Sequence, residues 1–203
     1  NFEPAGTNFE KNVNVLLNTH AMFGYFDNYK KLPFNISITK PQDFYGATPL
    51  ISTNSTGTTE NYAVSSYMEM TDSPLMYNKP DTTWLHVGGA DILVSVYDQT
   101  ASAGSKSVAD NVKQVMQAAA DYLGGTLPVK KYAYLIYLYK GKSHTGASGA
   151  LEHSYSSVYY LPGGPPEQIA RMVKDIASHE FFHIVTPLNI HSEEIGDFDY
   201  ANP

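Results

Sequence analysis

The sequence predicts an α+β fold, in which a β-rich N-terminal domain precedes a domain that mixes strands with two long helices. The first domain is rich in Tyr, Thr and Val, and residues 34–39 alternate apolar and polar side chains with the period of a strand. Two later segments, 107–123 and 165–186, carry apolar residues at the spacing of amphipathic helices. We therefore predict a β-rich domain at residues 1–72 and an α+β domain at residues 73–203.

The remaining elements follow from local signals along the chain. Residues 52–59 contain only Ser, Thr, Asn and Gly, which predicts a polar loop. Two proline-ended motifs, Asp72-Ser73-Pro74 and Asn78-Lys79-Pro80, predict a hinge between the domains. In the second domain, apolar runs predict three strands, at residues 91–97, 132–139 and 158–161.

Both helices of the second domain have terminal signals. For the first, Ser107 followed by Asp110 resembles a capping box, and Gly124-Gly125 supplies the end. For the second, Pro165-Pro166-Glu167 favours a helix start, and Thr186-Pro187 predicts its end. This second helix therefore carries the most informative motif of the chain in its last two turns.

That motif is His179-Glu180-Phe181-Phe182-His183. Histidines four positions apart lie on the same face of a helix, so both imidazoles can bind one Zn²⁺. The glutamate between them is then placed to act as the general base for a water on that metal. The pattern predicts a zinc site, with His179 and His183 as ligands and Glu180 as the catalytic residue. Two partly buried histidines on a core helix would be the purely structural alternative.

A zinc site of this kind needs a third protein ligand. The metzincin pattern requires Gly at position 186 and His at position 189, and the chain has Thr186 and Asn189, which excludes that class. Candidate ligands downstream of the motif are the carboxylates of Glu193, Glu194, Asp197 and Asp199, whereas His191, eight residues past His183, has a spacing that matches no known zinc pattern. The alternative favoured here is a Glu that lies beyond Pro203, as in gluzincins. On that alternative the chain is a fragment of a longer enzyme, and we expect it to hold zinc weakly and to be inactive by itself.

Composition limits the partners. The formal net charge is −7 and the pI is near 5.4, without a basic stripe, which argues against a nucleic-acid partner. No apolar run approaches the roughly 20 residues that span a bilayer. Cysteine is absent, so any zinc ligands must be His or carboxylate side chains. A periplasmic or cell-surface location is favoured over the cytoplasm, and the oligomeric state is left open.

Several stretches together resemble one family. They are the zinc motif, the segment 149–153 (Gly-Ala-Leu-Glu-His), the segment 20–26 (His-Ala-Met-Phe-Gly-Tyr-Phe), Asp72-Ser73-Pro74 and Phe198-Asp199-Tyr200. In this order they look like stretches of the glycyl aminopeptidase family of zinc peptidases. The resemblance implies a β-rich N-terminal domain, the first part of a thermolysin-like zinc peptidase domain and often a PDZ domain. It also implies a third zinc ligand, a Glu on a helix after the Phe-Asp-Tyr stretch.

The resemblance also implies a substrate site. Segment 149–153 would form one edge of the cleft, with Gly149, Ala150 and His153 contacting a peptide substrate. Glu152 would pair with the free α-ammonium of that peptide, which explains release of small N-terminal residues such as Gly or Ala. His153 would orient Glu152 or bind the substrate backbone. The family commonly has a second Gly where this chain has Ala150, and its segment after the zinc helix is often basic, whereas this chain has Glu193-Glu194.

Two other functions fit the same residues. An inactive peptide- or glycan-binding pseudo-peptidase would keep the fold and the motif without turnover. A zinc endopeptidase would use the same chemistry but tolerate substrates with blocked N-termini.

Overall fold

The structure, a computed structural model, describes residues 6–143 and 145–186. Two sheets build the N-terminal part. A four-stranded sheet has the strand order β1-β2-β7-β4, and a three-stranded antiparallel sheet has the order β3-β6-β5. A 3-10 turn at Thr19–Ala21 and a short helix accompany them. The elements are β1 (Asn8–Glu10), β2 (Asn14–Leu17), β3 (Phe34–Thr39), β4 (Tyr45–Ala47), β5 (Ser52–Ser55), β6 (Thr59–Val64), α1 (Tyr67–Thr71) and β7 (Leu75–Asn78).

The remaining part is a five-stranded mixed sheet with two helices on one face. Its order is β11-β12-β10-β9-β8, in which β9, β10 and β12 run parallel and the outer strands β8 and β11 are antiparallel to their neighbours. The elements are β8 (Thr82–Val87), β9 (Ala90–Asp98), α2 (Ser105–Tyr122), β10 (Lys131–Tyr139), β11 (Gly149–His153), β12 (Ser156–Pro162) and α3 (Pro166–Phe182). The strands and helices predicted here from apolar periodicity are all present.

Alternation along the central strands divides their side chains between two cores. One set, which includes Tyr132, Tyr134 and Tyr159, packs with Val173 and Phe181 under the two helices. The opposite set packs against the four-stranded sheet of the N-terminal part, in a cluster of Leu16, Ala47, Met76, Leu93, Ala133, Leu135 and Val158. The sheet is covered on both faces, which explains why β10 is apolar along nearly its whole length.

Three local predictions were wrong. Helix α2 begins at Ser105 and not at Ser107, because Gly104 is the N-cap residue and Asp81 accepts a hydrogen bond from the Ser105 amide (3.0 Å). Residues 52–59 are not all loop, because residues 52–55 form the exposed edge strand β5, held to β6 by its backbone ladder. Helix α3 ends at Phe182, and residues 184–186 continue in tight turns.

The predicted hinge contains a buried strand. Strand β7 begins directly after the first proline-ended motif and ends on the first residue of the second, Asn78. It pairs with β2 and β4 and has all four residues buried. It therefore belongs to the N-terminal sheet, although it follows the boundary predicted at residues 72 and 73. The domain limits themselves stay a prediction.

Within the described residues, no helix combines the length and the apolar composition that crossing a bilayer would require.

Candidate metal centre

The two histidines of the motif converge at the end of α3. His179 lies in the last turn and His183 is the C-cap residue, still in helical conformation (φ −60°, ψ −23°). Their Nε2 atoms are 3.2 Å apart, and the ring planes are nearly perpendicular, at 84°. The i, i+4 spacing therefore brings two imidazole nitrogens to one point.

This geometry fits zinc. With Zn–N distances of about 2.0–2.1 Å and a tetrahedral angle, two ligand nitrogens stand about 3.3 Å apart, close to the observed separation. His183 Nδ1 lies 3.2 Å from the carbonyl oxygen of Thr186. When Nδ1 carries the proton and donates it to that carbonyl, Nε2 keeps its lone pair for a metal. The two imidazole nitrogens, and the hydrogen bond from His183 to Thr186 that orients one ring, thus suit a zinc ion.

Glu180 lies between the two histidines and is buried, with 7% of its surface exposed. Its Oε2 atom has no hydrogen-bond partner among the described residues. Burial raises the pKa of Glu180 above its ordinary value, and the negative charge of Glu152 raises it further, whereas His179 and His183 oppose the shift. A buried carboxylate with a free oxygen has the properties of a proton acceptor.

Strand β11 brings a second carboxylate to the same place. Glu152 offers an oxygen to a cluster with Glu180 and His183, in which the ligand atoms lie within 4.8 Å of one another. Antiparallel pairing fixes this position, because Glu152 stands opposite Ser157 on β12. The structure therefore brings together segment 149–153 and the motif at residues 179–183, although Glu152 and Glu180 are 28 residues apart in sequence.

β11 is the outer strand of its sheet, so one side of its backbone faces away from β12. Gly149 and Ala150 lie at its start and are partly exposed. An outer strand of this kind can accept an extended peptide as an additional strand. Ala150 also packs against the core under the helices, which accounts for a methyl group at this position.

His153 has a different environment from its neighbour Glu152. Successive strand residues point to opposite faces, so the two side chains diverge. The imidazole is buried, and its Nδ1 atom lies 3.1 Å from the Asp72 carboxylate, which also accepts a hydrogen bond from the Ser154 amide at 3.0 Å. The role in substrate binding proposed for His153 stays a prediction, and its partner in the structure is Asp72.

Buried hydroxyl groups lie beneath the two glutamates, and the sequence analysis did not single them out. Tyr132 and Tyr159 are fully buried, and Tyr159 shares a hydrogen bond with Ser157 (2.9 Å). The Tyr132 hydroxyl has no partner among the described residues. Burial raises the pKa of both tyrosines, and Glu180 contributes to each shift, so both phenols stay protonated. Strand alternation in the sequence shows which residues of β10 and β12 share a face of the sheet. It does not show which of the two faces lies next to the candidate metal centre.

The downstream candidates lie outside the described residues. These are Glu193, Glu194, Asp197 and Asp199, and His191 and the Phe198-Asp199-Tyr200 stretch lie outside the described residues as well. In the described part of the chain, Glu152 and Glu180 supply the carboxylates nearest to His183.

Comparisons with known proteins concern the N-terminal part and the overall fold. Residues 3–79 match the family profile of the Peptidase M61 N-terminal domain. No curated protein matches the chain. Among solved structures, the fold is similar to that of an aminopeptidase N family protein from Idiomarina loihiensis, with a TM-score of 0.69 and 14% sequence identity. That alignment covers 89% of this chain and 31% of the other, so the chain spans about a third of the relative's length.

These similarities support the predicted relationship to peptidases and the β-rich N-terminal part of an aminopeptidase-like fold. At 14% identity the structural likeness shows the fold alone. The narrower assignment to glycyl aminopeptidases stays a prediction.

Proposed function

We propose that this chain carries part of the active site of a zinc-dependent aminopeptidase that releases small N-terminal residues such as Gly or Ala. The observation that carries the proposal is the convergence of two imidazoles and two carboxylates from α3 and β11. The N-terminal similarity to a peptidase family supports the same reaction class.

His179 and His183 would hold the zinc ion, and the third ligand would be the Glu expected beyond Pro203. A bound zinc ion supplies a Lewis acid that polarises the scissile carbonyl and lowers the pKa of water from 15.7 to about 7. The 3.2 Å separation of the two Nε2 atoms and the Thr186 carbonyl beside His183 Nδ1 support this ligand assignment.

Glu180 would accept the proton of the attacking water and deliver it to the leaving amine. Its position supports this role, because the side chain is buried between the two histidines and keeps one oxygen without a partner. Its negative charge is only weakly solvated there, which makes the carboxylate a better base than an exposed one.

Glu152 would bind the α-ammonium of the substrate. In an amino acid residue, two bonds separate the α-nitrogen from the carbonyl carbon. The group that binds the amine must therefore lie close to the group that acts on the carbonyl. The 4.8 Å limit of the cluster of Glu152, Glu180 and His183 meets that requirement. An endopeptidase needs room for further residues before the cleaved bond, which a carboxylate at this distance would obstruct. This proximity favours an aminopeptidase over an endopeptidase.

The packing of the core next to Glu180 is consistent with a preference for small residues. Three fully buried rings, of Tyr132, Tyr159 and Phe181, belong to the core under the helices, and both tyrosines interact electrostatically with Glu180. Tyr132 and Phe181 pack edge to face, with ring centroids 5.1 Å apart. A close-packed core of this kind leaves little room to receive a large side chain on that side of Glu180.

The test compares one dipeptide amide, Ala-Phe-amide, with its N-acetylated form in the full-length product of the gene. Glu152→Ala should lower kcat/KM for the free substrate by roughly 10–150-fold, because a charge-assisted contact contributes about 1.5–3 kcal/mol. Cleavage of the acetylated substrate, which carries no ammonium, should change little. Zinc content is measured on the same samples.

Glu167→Ala is the matched control, because Glu167 is an exposed acid at the other end of α3. Equal losses on both substrates would assign Glu152 to the fold or the metal and contradict the aminopeptidase proposal. Efficient cleavage of the acetylated substrate by the unaltered enzyme would indicate an endopeptidase. Zinc binding without cleavage of either substrate would indicate a pseudo-peptidase.

A further inference from the structure

A cavity of about 450 Å³ lies between the N-terminal part and the beginning of β10. Its walls come from the loop before β5, from the loop that leads into β10 and from the turn between β11 and β12. The residues that matter for the argument are Leu50, Ile51, Val129, Lys131 and Tyr155. The residues of the candidate metal centre do not line it. Its volume lies within the range of pockets that hold small molecules, about 300–1,000 Å³.

Lys131 is the principal charged group of this cavity. Its side chain is partly buried, and Nζ donates a hydrogen bond to the carbonyl oxygen of Leu50 (2.6 Å). Among the described residues, no carboxylate lies within 4.0 Å of Nζ. Asp91 acts on it electrostatically, but its carboxylate is hydrogen-bonded to His86 at 2.9 Å. Burial lowers the pKa of Lys131 to about 8, so the side chain is mostly charged at neutral pH.

Among the described residues that line the cavity, the one acid is already hydrogen-bonded. Glu69 accepts hydrogen bonds from the amide and the hydroxyl of Ser65, at 2.7 and 2.6 Å. Among the described residues no carboxylate contacts Lys131 Nζ, and the exposed Asp91 compensates its charge only at longer range, so the lost hydration of this partly buried ammonium ion is incompletely replaced. The site can therefore accept an anion.

The cavity walls around this cation include several apolar side chains beside polar ones. Ile51 is 73% exposed and Tyr155 is 49% exposed, and both face the cavity. The ring of Trp84 lies next to the cation, with Lys131 Nζ 5.6 Å from its centroid. Exposed apolar side chains around one cation suit a ligand that has one anionic group and an apolar body.

We propose that this cavity binds a small monocarboxylate with an aliphatic or aromatic body. Lys131 pairs with the carboxylate, and the body packs against Ile51 and Tyr155. Affinity depends on both parts, since the cation supplies charge complementarity and the walls bury apolar surface. This site is separate from the candidate metal centre and needs no metal.

The chain contains a built-in reporter. Trp84 is the only tryptophan in the sequence and lies beside Lys131, so its emission responds to a ligand on that cation. The experiment titrates 4-phenylbutyrate into the 203-residue chain at pH 7, with 4-phenylbutan-1-ol as the uncharged analogue. Isothermal titration calorimetry on the same samples gives the stoichiometry. We expect saturable 1:1 binding of the acid and binding of the alcohol at least about 10-fold weaker.

Three variants test the assignment to Lys131. Lys131→Met should weaken binding of the acid by about 10-fold or more, and Lys131→Arg, which keeps the cation, should stay within about 3-fold of the unaltered chain. Lys130→Met is the matched control, because Lys130 also lines the cavity but is exposed, and it should have a smaller effect than Lys131→Met. Thermal unfolding of each variant checks that it is folded.

Each other outcome overturns the proposal. Absence of saturable binding up to about 10 mM acid, in both fluorescence and calorimetry, shows that the cavity is not a carboxylate site. Equal affinity for acid and alcohol shows that Lys131 makes no contribution. A larger loss in Lys130→Met than in Lys131→Met places the anion on the exposed surface and not in the cavity.

Discussion

The contact between Asp72 and the turn that follows β11 allows a quantitative test of the fold around the candidate site. The Asp72 carboxylate accepts hydrogen bonds from His153 Nδ1 (3.1 Å) and from the Ser154 amide (3.0 Å). His153 is buried and Asp72 is partly buried, with side-chain exposed fractions of 8% and 14%. Asp72 also ends α1, so it connects the N-terminal part to the strand that carries Glu152.

Asp72→Ala should lower the free energy of unfolding by about 3 kcal/mol. Each hydrogen bond to a charged acceptor contributes about 1.5–3 kcal/mol, and two bonds that share one carboxylate are not fully additive. The substitution also leaves two donors without a partner at a site that water reaches poorly, which adds to the loss. The backbone bond from the Asp72 amide to Met68 is unaffected, because it does not involve the side chain.

The chain offers a matched control for this substitution. Asp91 makes a similar contact with the Nδ1 atom of a histidine, His86, at 2.9 Å, but the two side chains are 67% and 70% exposed. Solvent screens such a pair, so Asp91→Ala should lower the free energy of unfolding by no more than about 0.5 kcal/mol. Urea denaturation of both variants at pH 7, followed by tryptophan emission and far-UV circular dichroism, gives the two free energies.

The reasoning is refuted if the two variants lose equal stability. That result would mean that burial does not strengthen the Asp72 contact, and that the turn after β11 is held by its backbone alone. Asp72→Asn refines the outcome, because an amide can still accept one hydrogen bond. We expect its loss of stability to lie between that of Asp72→Ala and that of the unaltered chain.

Three further predictions concern single side chains. In the full-length product of the gene, Glu180→Gln should keep bound zinc, as measured by metal analysis. It should lower kcat by roughly 10²–10⁴-fold, because the amide cannot accept a proton. Activity within a few-fold of the unaltered enzyme would assign the base to another group. Lys131→Met should raise the free energy of unfolding at pH 7 by about 1–2 kcal/mol, which is less than the full energy of the pKa shift because solvent screens the partly exposed ammonium ion. Burial lowers the folded-state pKa of Lys131 from 10.5 to about 8, so the gain should be constant below pH 8 and shrink as the pH rises from 8 towards 10.5; a gain that grows with pH would contradict this. Gly46→Ala should lower the free energy of unfolding, measured by urea denaturation, by about 1–3 kcal/mol, because a Cβ there would meet the Glu60 carboxylate and lie 2.6 Å from the Tyr77 ring. The control Gly57→Ala should cost less, because its Cβ would lie 3.4 Å from the exposed Gln42 side chain.

The sequence by itself determined the features that depend on neighbours within a few residues. Apolar periodicity located α2, α3, β9, β10 and β12, because one buried face per helix and two per central strand leave a direct trace in the residue order. The paired histidines of the motif belong to the same class, since four residues of helix place both imidazoles on one face without any help from the rest of the fold.

Only the tertiary structure decided the features that depend on residues distant in sequence. The N-terminus of α2 is capped by Asp81 and not by its own Ser107, and β5 is a strand although its side chains are exposed, because β6 provides its backbone partners. The approach of Glu152 to Glu180, the pairing of His153 with Asp72 and the cavity around Lys131 have the same origin. Each of these features brings together residues that are distant in sequence, and such a contact leaves no periodic trace in the residue order.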